Sequence, residues 1–244
     1  MCSCPAMGER MAPEAPINVA NRLLAKLPAK DLARLSRHLE PVTLSHRQVL
    51  SKPDTPIEHV YFPDRGMVSL VQSLSDGAQI EVGVTGREGF VGVAVLLGAA
   101  TSPIEAMVQI PGSGLRMKAA ALREQVQLSK PLSALLHRYA QALQVQISQT
   151  AACNGRHVVQ ERLARWLLTA RDRADSDELP LNHEFLSMML GTRRVGVTLA
   201  LGTFKAAGII RNTHGRVTIL DRENLEDAAC ECYRSVKEQF RLLL

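Results

Sequence analysis

The chain has 244 residues, 46% of them hydrophobic, 22% charged and 4% aromatic, with a formal net charge of +5. This excludes disordered and fibrous chains and sets an aliphatic core in one large domain or two small ones. The mild positive charge admits a nucleic-acid partner.

Five scattered cysteines, Cys2, Cys4, Cys153, Cys230 and Cys232, do not form a disulfide framework. The N-terminus lacks a basic flank followed by an apolar stretch, so no secretory signal is expected. The longest apolar run, Phe90–Ala100, is broken by Gly92 and Gly98 and falls short of the ~20 residues of a membrane span. A cytoplasmic protein with no membrane contact is expected.

Residues 1–16, rich in Pro, Met and Ala, are expected to form a loose tail. A helix is expected from near Ile17, with Leu23, Leu24 and Leu27 on one face, stopped by Pro28. A second, Ala29 to Leu39, carries Leu32, Leu35 and Leu39 and ends at Pro41. From Pro41 to Lys118 the period becomes that of strands, punctuated by turn signals at Pro53-Asp54, Pro63-Asp64-Arg65-Gly66, Asp76-Gly77, Gly86 to Gly89 and Pro111-Gly112. Seven or eight short strands in a sandwich, roll or barrel are expected. The clearest hairpin joins Val68–Leu74 to Gln79–Val84.

Helical period returns with Ala119–Gln127 and a long helix over 131–153, uninterrupted until Gly155. Its stripe, Leu132, Leu135, Leu136, Tyr139, Leu143 and Ile147, serves either an intramolecular core or a dimer seam, and Gln141, Gln144, Gln146 and Gln149 dilute a strict heptad. Beyond Asn154-Gly155 come a helix over Val158–Ala170, an acidic linker over 172–179, then helix, turn and helix within Leu181–Gly215, with Ile209–Arg211 and Val217–Leu220 flanking Asn212-Thr213-His214-Gly215 as a hairpin. A last helix runs from Arg222 to the end.

The stretch from Leu181 to Phe204 is the most informative. Asn182 suits a helix cap. Ser187 is small where a second helix crosses closely, Gly191 permits the positive φ of a tight turn, and Val197, Leu201 and Phe204 form the buried side of a new helix beginning near Thr192 or Arg193. Between Phe185 and Leu220 lie Arg193, Arg194, Lys205, Arg211 and Arg216 and not one acid. Such a face gains from counterion release on DNA. Cations at a helix N-terminus oppose the helix dipole, and a phosphate or a guanine gives them a reason to be there. The candidate DNA-binding residues are Thr192, Arg193, Arg194, Val195 and Thr198 of the second helix and Arg211, His214 and Arg216 of the wing. The other reading is a helical corner with a solvated basic patch.

Other signals are weak. Gly86, Gly89 and Gly92 have the spacing of a phosphate loop, but no Lys-Ser/Thr follows and no helix is expected after them. His183-Glu184 lacks the second histidine of a zinc-protease motif, since Ser187 stands there. Cys230 and Cys232 are expected on one helix, where residues two apart do not share a face. The histidines show no pair at ligand spacing, so neither metal nor cofactor is expected, nor an enzyme. Cys153 is read as packing, with a redox role as the alternative.

A β-rich domain, a long helix and a winged helix-turn-helix, with Gln160–Leu168 and Leu181–Ile210 as the closest stretches, resemble the Crp–Fnr family of bacterial transcription regulators. The resemblance implies an α+β chain: a cyclic-nucleotide-binding-like roll over 17–130, a dimerisation helix over 131–153 and a winged helix-turn-helix over 154–244. It implies a homodimer reading an inverted repeat in double-stranded DNA, with RNA polymerase as a partner and Arg194 where the family reads a base. Cyclic-nucleotide-binding members carry Gly-Glu and, further on, Arg-Ser or Arg-Ala. Here Gly92-Val93 and Thr101-Ser102-Pro103 stand there, so the effector is expected not to be cyclic AMP. Glu81, Arg87, Glu88, Gly92, Thr101 and Ser102 are the candidate pocket for an unknown small-molecule effector, apolar or acidic. Iron–sulfur members need clustered N-terminal cysteines, and only Cys2 and Cys4 lie there. Val195 and Leu199 replace an acid and a second arginine of the best-known recognition helix, which implies a different DNA sequence.

Overall fold

The computed structural model describes residues 19–213 and 215–244. The tail assigned to 1–16, the helix start at Ile17 and His214 lie outside them. The first helix is reduced to a 3-10 turn at Leu24–Lys26. Asn21 sets its start. Its Oδ1 accepts from the N–H groups of Leu23 (3.1 Å) and Leu24 (3.0 Å), and its buried Nδ2 donates to the carbonyls of Pro63 (2.7 Å) and Gly89 (2.9 Å). A side chain tied this way anchors the start of the turn, and Pro28 closes it after Leu27, leaving room for a single 3-10 turn. Helix α1 is Ala29–Ser36.

The roll has five strands rather than seven or eight: β1 (Glu40–Leu44), β2 (Val49–Ser51), β3 (His59–Ser73), β4 (Gln79–Thr85) and β5 (Glu105–Lys118). They form one antiparallel sheet in the order β1-β5-β3-β4, with β2 also on β5. Two expected turns are bends inside long strands. The β3–β5 register slips around Pro63, Arg65 and Met67. A Cβ on Gly66 (φ +89°) would lie 2.5 Å from the Ile110 carbonyl oxygen, and one on Gly112 2.1 Å from that of Arg65. The two backbones touch there and bend together, as at a bulge. The hairpin between β3 and β4 has the expected turn, with Asp76 Oδ1 accepting from the Ala78 N–H at 2.9 Å. After Gly92 the chain does form one helical turn, α2 (Val93–Leu96), contrary to the sequence expectation.

Helix α3 is Ala119–Leu128 and α4 is Lys130–Arg156. The long helix runs through Asn154-Gly155 rather than stopping at Cys153. A Cβ on Gly155 would meet nothing within 4 Å outside the helix's own backbone, so no close packing requires a glycine there, and the ~1 kcal/mol cost of one helical glycine does not break a packed helix. The stripe Leu132, Leu135, Leu136, Tyr139 and Leu143 is buried against the chain's own roll. The stripe is core, not seam. Gly89 makes room for it: a Cβ there would lie 2.0 Å from the Tyr139 ring.

The C-terminal part holds α5 (Val159–Ala174), β6 (Glu178–Leu179), α6 (His183–Met189), α7 (Arg194–Ala206), β7 (Ile210–Thr213), β8 (Arg216–Ile219), α8 (Arg222–Asp227) and α9 (Cys232–Leu243). The expected acidic linker contains β6, which pairs with β8 and makes the wing a three-stranded sheet, β6-β8-β7. The expected last helix is two, separated around Cys230, and α9 turns back onto α4. One apolar cluster runs from Met67, Val71, Val84 and Ile110 of the roll into Trp166, Phe185, Val197 and Phe204.

Candidate nucleic-acid interface

Helix α6 starts where Asn182 Oδ1 accepts from the Phe185 N–H at 2.8 Å, a side-chain cap. Its buried face is Phe185, Leu186 and Met189. The turn is closed by two backbone bonds, Gly191 N–H to Met188 O (3.0 Å) and Thr192 N–H to Ser187 O (2.9 Å). Gly191 has φ +54°, as expected, and a Cβ there would also press within 3.2 Å of Ile80 on β4. The turn is seated on the roll's hairpin.

Arg193 is the N-cap of α7, and Val197, Ala200, Leu201 and Phe204 are its buried side. Arg193, Arg194, Val195 and Thr198 project into solvent and Thr192 is half-buried. Val195 and Leu199, one turn apart, are 69% and 68% exposed, although exposing two large aliphatics beside arginines costs apolar hydration. On the wing Arg211 and Arg216 are exposed. The acid-free span is not free of acidic neighbours: Glu184 lies 3.9 Å from Arg194, and Glu178 of β6 accepts from Arg216. Both are exposed pairs, worth ~0–1 kcal/mol each, and easily exchanged for phosphate.

Two further residues escaped the sequence reading. Asn212 Nδ2 donates to His183 Nε2 at 2.8 Å, and the other ring nitrogen donates to Thr198 Oγ1 at 2.9 Å. Wing, first helix and second helix meet at one imidazole. The partners of Asn212 and Thr198 lie 29 and 15 residues away, so no local pattern announces them.

The structure divides the six candidate effector residues. Glu81, Arg87 and Glu88 line a cavity of about 540 Å³ between the roll, α5 and α9. Gly92, Thr101 and Ser102 do not. Gly92 caps α2 against Val60, Thr101 is exposed in a loop, and Ser102 Oγ accepts from the Ile104 N–H at 3.1 Å. At the cavity wall Glu81 is buried, accepting from Trp166 Nε1 (2.7 Å) and Ser69 Oγ (2.5 Å). Burial pushes its carboxyl up to about 7, against the pull of those two bonds and of Arg165 and Arg173. Arg173 pairs with Glu88 at 2.9 Å. Among the described residues, Arg87 Nε and Arg165 Nε on this cavity are buried without a hydrogen-bond partner.

The fold also corrects the reading of the cysteines. Cys230 lies in the break before α9, so it and Cys232 do converge, and Cys153 and His157 meet them. The overlooked signal is the i, i+4 spacing of Cys153 and His157, hidden when α4 is ended at Cys153. No helix among the described residues is long and apolar enough to cross a membrane.

Residues 41–129 match the family described as cyclic nucleotide-binding domain, and residues 161–228 that described as Crp-like helix-turn-helix domain. No curated protein matches the chain by sequence. Among solved structures, FixK2 from Bradyrhizobium japonicum is 19% identical over 79% of this chain and 98% of its own, with a TM-score of 0.67. A putative Crp/Fnr transcriptional regulator from Eubacterium rectale is 15% identical over 86% and 98%, also at 0.67. The c-di-GMP responsive global regulator CLP of Xanthomonas campestris is 17% identical over 79% and 99%, at 0.63. These likenesses carry the fold, an α+β chain with an N-terminal roll and a C-terminal winged helix-turn-helix. With a cyclic nucleotide-binding domain followed by a Crp-like helix-turn-helix domain, the chain belongs to the Crp/Fnr family of transcription regulators.

Proposed function

We propose that the protein is a cytoplasmic homodimer that reads an inverted-repeat DNA site with α7 and acts with RNA polymerase by binding, not catalysis. In this reading the roll through residue 130 is the sensor, 131–153 the connector and 154–244 the reading head. The observation that carries it is the exposed start of α7. Arg193 and Arg194 stand beside Val195, Thr198 and Leu199 with no acid on α7 itself, and Glu184 of α6 reaches Arg194 only through an exposed 3.9 Å pair. Arginine pairs with guanine and phosphate, and exposed aliphatics suit the thymine methyl group. Arg211 and Arg216, with His214, are assigned to backbone phosphate.

Because the apolar stripe of α4 is used by the core, the seam is assigned to its opposite face: Ala134, Arg138, Gln141, Val145, Ser148 and Ala152. These repeat at alternating steps of four and three, the heptad spacing of paired helices, and are mostly small.

Cyclic AMP is not the proposed effector. Val93, Ala94 and Val95 of α2 and Thr101-Ser102-Pro103 offer neither acid nor arginine, and a buried phosphate without its cation costs several kcal/mol. A small anion in the 540 Å³ cavity is proposed instead, held by Arg87 and Arg165, whose Nε groups have no partner although Arg87 also pairs with Asp175 and Arg165 also donates to Thr150.

The test is selection from a random DNA pool with the purified full chain and no added ligand. The expected result is an inverted repeat with half-sites about one helical turn apart, lost from the Val145→Glu chain if α4 forms the seam. No enrichment, with flat salt dependence of DNA binding, overturns the reading. In thermal melts cyclic AMP is expected to give no shift. Cyclic di-GMP, named for the Xanthomonas relative, is the first anion to try.

A further inference from the structure

Four metal-ligating groups from opposite ends of the C-terminal half meet at one point. Cys153 and His157 lie one turn apart at the end of α4, Cys230 in the break after α8, and Cys232 at the start of α9. Their ligand atoms all lie within 4.8 Å of one another. Cys153 Sγ is 3.5 Å from Cys230 Sγ, and Cys232 Sγ is 3.6 Å from His157 Nδ1. With Zn–S of ~2.3 Å and Zn–N of ~2.0–2.1 Å, a tetrahedral ion sets its ligands ~3.5–3.8 Å apart. The gathered groups are close to that spacing before any ion draws them in.

The surroundings point the same way. His157 Nε2 lies 3.2 Å from Glu231 Oε2, leaving Nδ1 for the thiols. A carboxylate on the far nitrogen is how proteins orient a metal-binding histidine. Gln149 Nε2 donates to Cys232 Sγ at 3.1 Å, a bond that favours a sulfur carrying negative charge. All three thiols are buried and form a cluster of their own rather than packing into the large aliphatic cores. Arg162 and Arg165 stand near enough to act on Cys153 and Cys230 through their charge. Three thiolates and a neutral imidazole around a divalent ion carry one net negative charge, which those guanidinium groups offset.

We infer that Cys153, His157, Cys230 and Cys232 bind a single zinc ion in a closed, four-ligand structural site. On binding, each thiol gives up its proton to solvent and its sulfur donates an electron pair to zinc. No oxidation state changes. With four protein ligands there is no open position, so the ion's work is mechanical. It fastens the end of α4, which comes from the sensor side, to the C-terminal segment of the reading head beyond α8, and it holds α9 along α4. The site needs neither DNA binding nor any effector, so its test stands apart from the proposed function.

The experiment is the metal content of the full chain, purified with reductant and without chelator. About one zinc per chain is expected, and cobalt(II) in its place should show the visible bands of a tetrahedral ion and a sulfur-to-cobalt charge-transfer band. Cys153→Ser and Cys230→Ser should each abolish stoichiometric zinc. The Cys2→Ser/Cys4→Ser chain should keep it. Glu231→Gln should retain the cobalt spectrum but weaken zinc binding ~10- to 100-fold, the range for an outer-shell partner. A wild-type chain without metal whose thiols titrate freely, a Cys153–Cys230 disulfide, iron with labile sulfide, or zinc lost only with Cys2 and Cys4 would each overturn the assignment. The wild-type measurement decides even if a variant fails to fold.

Discussion

The exposed face of α7 and the junction beneath it are built on opposite principles. Arg193, Arg194, Val195 and Leu199 stand in solvent, and among them an exposed ion pair to Glu184 is the strongest side-chain restraint the structure gives. Under them Val197, Leu201 and Phe204 share one core with Trp166, Phe185 and the roll's Met67 and Val84. Exposed pairs contribute ~0–1 kcal/mol, whereas each large buried side chain contributes ~1.5–3 kcal/mol. The face is free to be specific because it carries little of the stability. The junction carries the stability and decides where the face points.

The largest expected effect comes from removing the face. Each arginine engaged with guanine is worth ~1–3 kcal/mol, so Arg193→Ala/Arg194→Ala should lower affinity for the selected site ~30- to 10⁴-fold. Melting should stay within ~2 °C of wild type, as expected of exposed positions. Titration by gel shift and a thermal melt check both halves. Unchanged affinity would place the reading surface elsewhere.

Phe204→Ala inverts the experiment. The ring is 1% exposed, and its truncation should cost ~3–5 kcal/mol of stability, seen as a lower urea midpoint. Below the melting transition, site selectivity should survive, since the α7 face is intact. A loss under ~1 kcal/mol would mean that the shared core is not formed in solution.

The same contrast explains what could be read from the residues. The helix-turn-helix was legible because its signals are local: the Asn182 cap, the Gly191 turn and the 3.6 period of Val197, Leu201 and Phe204. The roll was legible as β-rich but miscounted, because Gly66 and Gly112 mark a bend between two strands that are remote in sequence, and in one dimension a bend and a turn look alike. The α4 stripe was visible, but periodicity cannot say which surface covers it. The imidazole of His183 and the sulfur cluster exist only after folding, assembled from residues up to 79 positions apart.

Glu81 tests the polar side of the junction. In the fold burial raises its carboxyl from the ordinary 4.5 to about 7, so between those values the folded chain holds a proton that the unfolded chain releases. The contribution is fully present below pH ~4.5 and is lost as pH rises through ~7, a change of up to ~3 kcal/mol. Glu81→Gln keeps a neutral group there and should not show this slope. Urea midpoints of the two chains at pH 5 and pH 8 check it. A wild-type minus variant difference that is flat across that range would mean a hydrated carboxylate.

The smallest effect belongs to the imidazole that joins wing to recognition helix. Asn212→Ala frees His183, and with it Thr198, without touching the arginines. One lost hydrogen bond is worth ~0.5–1.5 kcal/mol, so affinity for the selected site should fall ~2- to 10-fold. The salt dependence discriminates. Its slope counts phosphate contacts, and a residue that only positions Thr198 should leave it unchanged, whereas a smaller slope would put Asn212 on the DNA backbone. Thr198→Ala should cost a similar amount, and the double variant should cost little more than either single one, because both substitutions break the same chain of bonds.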